Sequence, residues 1–426
     1  MEYNLVPRDL SVIWHPYTQM KTAPEPVAII RGKEALLYDE QGNAYIDAVS
    51  SWWVNIHGHG NDYIADRIAE QARTLEHCIF AGFTHPPAVE LAEKLLKILP
   101  GNFSKIFYSD NGSTAVEVAV KMAIQYWHNQ GIPKKKILAF HHAYHGDTFG
   151  AMSVSARSIF TRVFDPYLFE VDFLELPAAG NIQQLIDHVT AAAKETAAFI
   201  FEPLLLGSGG MLMYEPEHLD QLLKACHQHD ILLIADEVMT GFGRTGKKFA
   251  MEYVQQQADI VCLSKGLTGG TMALGVTACT QDIYDAFLSD DKLKTLFHGH
   301  SFTANPIACT AALASMDIFL SPSCSENIAR VRASHRRFAQ TLQAHPGVKN
   351  VRQCGTVVAF EVVAPDEDSY VNSLRDKLYD FFIRRHIILR PLGNTLYIMP
   401  PYCITDEQLQ EVYDAICALL DEFQNL

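Results

Sequence analysis

Ile231-Leu-Leu-Ile-Ala-Asp-Glu-Val-Met-Thr-Gly-Phe-Gly-Arg-Thr-Gly246, with Ile260-Val-Cys-Leu-Ser-Lys-Gly266 after it, is the stretch on which the fold turns. Ile231 to Ala235 is short and wholly apolar, as expected of a strand buried on both faces of a parallel sheet. Asp236 and Glu237 end that run, and Thr240 to Gly246 reads as a glycine-rich turn. A second apolar run, Ile260 to Leu263, delivers Ser264, Lys265 and Gly266. One acid and one lysine therefore each stand at the C-terminal end of a buried strand. In open α/β sheets that edge is where ligands bind.

A lysine whose charge is disfavoured by a semi-buried site can act as a nucleophile and form a Schiff base. Pyridoxal phosphate needs such a lysine, together with an acid that keeps its pyridine nitrogen protonated. Taken singly, an Asp at a strand end is an ordinary cap or turn former, and a Lys-Gly pair an ordinary solvated loop. A third element strengthens the pair. Ile106-Phe-Tyr108 reads as a strand, Ser109-Asp-Asn-Gly-Ser-Thr114 follows, and Val116, Ala119, Ala123 and Trp127 form the apolar face of a helix. Strand, small polar residues and helix together aim backbone N–H groups and the helix dipole at an anion. The plainer reading is a simple N-cap.

The chain has 426 residues, 48% hydrophobic and 19% charged, which suits a globular protein with room for two or three domains. A net charge of −15 argues against nucleic acid or an anionic membrane as partner. Met1 to Met20 mixes Glu2, Arg8, Asp9 and His15 with apolar residues, unlike a signal peptide, and no apolar stretch reaches membrane-spanning length. Nine cysteines without a CxxC pair read as free thiols in a reducing compartment. The expected location is cytoplasmic.

Elsewhere the reading is coarser. Trp14-His-Pro-Tyr-Thr18 suits an irregular segment laid over another surface, or an N-terminal arm that merely packs. Leu36-Leu-Tyr38 and Ala44-Tyr-Ile46 flank a hairpin turn. Helical spacing recurs at Ala65, Ile68, Ala72 and Leu75 and at Ala88, Leu91, Leu95 and Ile98. Ile137 to Phe140 and Ala198 to Phe201 read as strands, the first ending in His141-His-Ala-Tyr-His145, the second in Glu202. His141, His142 and His145 raise the question of a metal, but no HExxH or zinc-type spacing accompanies them, and we assign none. Tyr144, at the same sheet edge, is placed to stack on a planar ring. Beyond Lys265 come a strand from Ala273 to Cys279, the loop Phe297 to Phe302, and a helix from Asn305-Pro306 to Phe319.

The tail reads as an α+β unit. It has helices from Ser325 to Ala344 and from Tyr370 to Arg385, and strands at Gly355 to Val363, Ile387 to Arg390 and Leu396 to Met399. A last helix opens with the capping box Thr405-Asp-Glu-Gln408. Arg390 at a strand end suits either a substrate carboxylate, through its bidentate fork, or a surface salt bridge.

Asp236 to Gly246 and Ser264-Lys-Gly266 resemble the class III, fold-type I pyridoxal-phosphate aminotransferases. Trp14-His-Pro-Tyr17, Ser50-Ser-Trp-Trp53, Tyr144-His-Gly-Asp-Thr148, Leu267-Thr-Gly-Gly-Thr-Met272, Arg390-Pro-Leu-Gly393 and Tyr397-Ile-Met-Pro-Pro-Tyr402 are similar to the branch that acts in biotin biosynthesis. The likeness runs from about residue 11 to 402. It implies an α/β fold with a large domain, residues 56–320, built on a mainly parallel seven-stranded sheet. Residues 1–55 and 321–426 would form the smaller α+β domain. It implies pyridoxal 5'-phosphate as cofactor, S-adenosylmethionine as amino donor, 8-amino-7-oxononanoate as acceptor, and a homodimer with sites at the subunit interface.

By motif, Lys265 would carry the cofactor, Asp236 would pair with its pyridinium, and Gly112 and Ser113 would bind its phosphate, joined by Ser301 from the partner. Tyr144 would lie near the ring. Tyr17 (also taken as catalytic), Trp52, Gly299 and Tyr397 would line the substrate cleft, and Arg390 would hold a carboxylate. Two departures stand out. Met239 occupies a position where many class members carry Gln, and Gly299-His-Ser301 replaces the Gly-Pro-Thr of some members of the branch. Lysine as donor, with Asp147 facing its distal ammonium, is the alternative within the branch. A broad ω-amine transaminase or an aminomutase is the alternative within the fold. A metal hydrolase built on His141, His142, His145 and the 298–300 pair is the alternative outside it.

Overall fold

The computed structural model describes residues 4–363 and 373–424. Its central sheet contains β1 (Phe103–Ser109), β2 (Lys136–Phe140), β3 (Asp172–Leu174), β4 (Thr196–Phe201), β5 (Leu232–Asp236), β6 (Ile260–Leu263) and β7 (Gly275–Thr280). The spatial order is β1-β7-β6-β5-β4-β2-β3. Only β7 runs antiparallel to its neighbours; the remaining pairs are parallel.

The two-residue period of a strand explains why β4 and β5 are apolar throughout. Leu233 and Ala235, with Phe199 and Phe201, enter the core on one face. Leu232 and Ile234, with Ala198 and Ile200, enter the core on the other. On the second face lies the helix Gly112–Asn129, which buries Val116, Ala119, Ala123 and Trp127 as its spacing predicts. On the first lies Pro306–Phe319, which Asn305 caps by accepting from Ala308 N–H.

A separate core gathers Ala35, Ile46 and Trp53 with Val357 to Phe360, Leu396 to Met399 and Ile416. The two chain ends are joined by backbone as well, since Ile387–Ile388 pairs in parallel with Ala44–Asp47. Helices Pro322–Gln343 and Asp406–Gln424 cover this unit, and the Thr405–Gln408 capping box is formed.

Several boundaries differ from the sequence reading. The helix expected from Ser325 starts at Pro322, because Ser321 caps it by accepting from Cys324 N–H. Val348–Cys354 is an additional strand, paired with Val357–Val362 across a turn at Gly355, where φ is 55°. Its sequence, VKNVRQC, is too polar to signal a strand. Leu5–Val12 is a helix that buries none of its residues. Of the helix expected from Tyr370, Ser373–Ile383 is described, and Tyr370 lies outside the described residues. Among the described residues no single helix is long and apolar enough to cross a membrane.

Candidate active site

β5 and β6 are adjacent and parallel, with Asp236 opposite Cys262. The register brings Asp236 and Lys265, which follows β6, to one edge of the sheet. Lys265 opens a single 3₁₀ turn, Lys265–Thr268, with φ at 47°. A non-glycine residue held there costs on the order of 1–3 kcal/mol and persists only where its surroundings fix it. Ser264 Oγ, donating to Leu274 O at 2.7 Å, supplies part of that fixing.

Asp236 is almost wholly buried. Its Oδ2 accepts from His145 Nδ1 at 2.7 Å and its Oδ1 from Val238 N–H at 3.0 Å. His145 Nε2 is buried and has no partner among the described residues. Lys265 Nζ lies 4.9 Å from the centroid of the Trp53 ring. Burial lowers the Lys265 pKa, Asp236 and Glu202 pull it back up, and Arg244 pushes it down; the net direction is downward. That favours the neutral, nucleophilic amine.

Glu202 ends the next strand, β4. Its Oε1 accepts from Tyr144 N–H and its Oε2 from Gly207 N–H, both at 3.0 Å. Burial pushes its carboxyl up to about 7, with Asp236 adding to the rise and His145 opposing it. The sequence reading noted this strand-end acid without assigning it to the site. The signal was present: it stands at the same sheet edge as Asp236. His145, weighed there only as a metal ligand, is instead the partner of Asp236. The third residue missed is Arg244, buried in the glycine-rich turn, where Nη1 donates to Pro400 O at 2.9 Å and Nη2 to Trp53 O at 3.3 Å.

At the start of helix Gly112–Asn129, Asn111 Oδ1 accepts from Thr114 N–H at 3.0 Å, and Thr114 Oγ1 accepts from Asn111 N–H at 2.9 Å. The N–H groups of Gly112 and Ser113 are left without hydrogen bonds among the described residues. Ser113 Oγ accepts from Asp147 N–H at 3.2 Å. Gly112 is required for space, since a Cβ there would stand 2.8 Å from Val238 Cγ1. Two free amides and a hydroxyl at a helix N-terminus make an anion cradle.

One cavity of about 600 Å³ joins these parts, lined among others by Lys265, Asp236, Glu202, Gly112, Ser113 and Tyr144. Met239 also lines it, so this departure from the class pattern lies in the site. A neighbouring cavity of about 490 Å³ shares Tyr144, Gly146 and Asp147 with it. Tyr17 reaches this junction by donating to Asp147 Oδ2 at 2.5 Å. Trp52 stands edge-on to Tyr17 at 5.8 Å, and the Arg390 guanidinium lies 3.8 Å over the Trp52 ring. No hydrogen bond or ion pair to Arg390 occurs among the described residues.

Tyr397 is buried beneath Trp53, whose Nε1 donates to its hydroxyl at 2.9 Å. It touches the cavity through Trp53 rather than lining it. Gly299 and Ser301 lie on an exposed loop, outside the cavity of this chain. His141 and His142 are exposed, and no group of three or more His, Cys, Asp or Glu is placed to hold a metal among the described residues.

The family described as Aminotransferase class-III matches residues 17–420. An adenosylmethionine-8-amino-7-oxononanoate aminotransferase of Synechococcus elongatus is 48% identical over 96% of this chain and 98% of its own length. One from Geobacter sulfurreducens is 40% identical over 95% and 94%. The crystal structure of the Methanocaldococcus jannaschii protein of that name superposes with a TM-score of 0.94 at 36% identity, covering 98% of both chains. An omega transaminase of Pseudomonas jessenii in complex with PMP gives 0.92 at 29% identity, again over 98% of both. With a strand-end lysine and acid over an anion cradle, and a family match across nearly its whole length, this chain belongs to the class III aminotransferases.

Proposed function

We propose that the chain transfers the amino group of S-adenosylmethionine to 8-amino-7-oxononanoate, giving 7,8-diaminononanoate for biotin biosynthesis, with pyridoxal 5'-phosphate as cofactor. The observation that carries this is the convergence of Lys265, Asp236 and the Gly112–Ser113 cradle on one cavity. The full-length likeness to proteins named for those two substrates points the same way.

The residues fit the cofactor. The cradle offers unpaired amides to a phosphate, Asp236 a buried carboxylate to a protonated ring nitrogen, and Lys265 a neutral amine to an aldehyde. Bound there, pyridoxal phosphate supplies an electrophilic carbonyl and a ring that holds an electron pair. Asp236, kept an acceptor by the His145 Nδ1–H, holds the ring-nitrogen proton. Lys265 Nζ would hold the cofactor at its aldehyde carbon and, once freed by the donor amine, would serve as the base that moves a proton from the donor's α-carbon to the cofactor carbon across the shared nitrogen. Glu202 ties the Tyr144 backbone to the loop at Gly207, which sets the wall of the site. Arg390, free and stacked on Trp52, would receive a substrate carboxylate, and Tyr17 with Trp52 would offer aromatic faces to a sulfonium. Two half-reactions on one site imply ping-pong kinetics.

The same reading makes residues 56–320 the large domain and the two chain ends the small one, supported by two buried cores, one drawn mainly from each. It takes the protein as a cytoplasmic homodimer in which Ser301 serves the partner's phosphate site; the exposure of Ser301 in the single chain is consistent with that.

The test is direct. Purified protein is incubated with 8-amino-7-oxononanoate and either S-adenosylmethionine, lysine or a simple ω-amine, and the diamine is measured by mass spectrometry. Product from adenosylmethionine alone supports the reading. Product from lysine alone, or from ω-amines alone, replaces the donor while leaving the family standing. The likeness to the Pseudomonas jessenii structure is what keeps ω-amines in the test.

A further inference from the structure

The loop Phe297 to Ser301 is tied to the anion cradle by a chain of four side chains. Lys121 Nζ donates to Phe297 O at 3.2 Å and to His298 Nδ1 at 3.1 Å. His298 Nε2 and His300 Nε2 are 2.9 Å apart, and His300 Nδ1 is 3.4 Å from Asp110 Oδ2. Asp110 directly precedes the cradle, and its own N–H donates to Thr114 Oγ1 at 3.1 Å.

The proton positions follow from chemistry. An ammonium only donates, so His298 Nδ1 accepts and the His298 proton sits on Nε2. That N–H donates to His300 Nε2, which leaves the His300 proton on Nδ1, facing the Asp110 carboxylate. Each ring nitrogen then has one role, and both imidazoles are neutral. A further proton has no seat. On His298 Nδ1 it would meet the Lys121 ammonium; on His300 Nε2 it would meet the His298 N–H. The other groups facing the pair are Glu117, which draws a proton toward His298, and the Phe107 ring, edge-on at 6.1 Å. Burial, Lys121 and His300 outweigh Glu117 and lower the His298 pKa from its ordinary 6.5.

We propose that His298 and His300 are positioning residues for the phosphate end of the site. The chain Lys121–His298–His300–Asp110 straps the loop to the cradle, and it is intact only while the His298 imidazole is neutral. This rests on the proposed cofactor. His300 stands where some members of the branch have proline, which could not make this contact. The sign follows from the lowered His298: the neutral arrangement is fully favoured above about 6.5 and is lost as pH falls below it.

The experiment measures cofactor release from diluted holoenzyme at about pH 5.5 and pH 7.5, by the absorbance of the bound and free forms. Wild type is expected to release roughly two- to fivefold faster at the lower pH, the scale of a half-exposed charge contact. His298→Ala is expected to release fast at both. His298→Gln, whose amide oxygen can accept from Lys121 and whose N–H can donate to His300 without titrating, is expected to release slowly at both. A pH step that persists unchanged in both variants, as the phosphate's own titration would give, overturns the strap. Protein that binds no cofactor at all overturns the functional reading along with it, so the two failures are told apart.

Discussion

His145 Nδ1 donates to Asp236 Oδ2 at 2.7 Å, with both side chains buried at the end of β5. The contact fixes the orientation of the carboxylate before any ligand arrives. Asp236→Asn should therefore keep bound cofactor, since the cradle and Lys265 remain, but lose the charge that holds a ring proton. A charge-assisted hydrogen bond is worth about 1.5–3 kcal/mol, or roughly ten- to hundredfold, and a fall in kcat of at least that size is expected. Cofactor content and kcat, measured on the same preparation, check it. A variant with normal turnover would place the ring away from Asp236.

Gly112 has no room for a methyl group because Val238 Cγ1 is 2.8 Å from its Cβ position. Gly112→Ala should weaken cofactor binding by displacing the cradle. Adding Val238→Ala should restore much of that affinity, because the obstruction is one side chain. The readout is the cofactor dissociation constant across the double-mutant cycle. Additive losses without recovery would show that the glycine serves something other than space.

Arg390→Ala should raise KM for a carboxylate-bearing substrate by roughly ten- to hundredfold, the weight of a hydrogen bond to a charged group. Amines without a carboxylate should lose far less. Trp52→Ala should give a smaller version of the same pattern, about 0.5–2 kcal/mol for the stacked cation. Equal losses for both classes of amine would show that Arg390 supports structure rather than a carboxylate.

Burial holds Glu202 protonated up to about 7, against 4.5 for a free carboxyl. The folded chain thus binds more protons than the unfolded one between those values, and stability from this group falls as pH rises through them. The melting temperature of Glu202→Gln, relative to wild type, should therefore climb between about pH 5 and pH 8 in protein stripped of cofactor. A difference that stays flat across that range would mean the Glu202 carboxyl ionises normally.

How much of this was legible beforehand depended on where the information resides. The apolar runs of β4 and β5 announced a sheet covered on both faces, and Asp236, Lys265 and the Gly112–Ser113 turn announced its ligand edge. What the sequence did not carry was contact across the fold. His145 meets Asp236 across 91 positions and Trp53 meets Tyr397 across 344, and no local pattern encodes either pairing. Glu202 was visible as a strand end, but its clamp on the Tyr144 and Gly207 amides depends on how two loops close over it. The half-exposed strand Val348–Cys354 was hidden because its neighbours, rather than its own composition, make it a strand.

Lys265 is the residue proposed to hold the cofactor. Protein saturated with pyridoxal phosphate, reduced with borohydride and digested, is analysed by mass spectrometry, with Lys265→Ala in parallel. The added cofactor mass is expected on the peptide containing Lys265, one per chain, and none in the folded variant. Stoichiometric labelling of a different lysine, or equal labelling of Lys265→Ala, would contradict it.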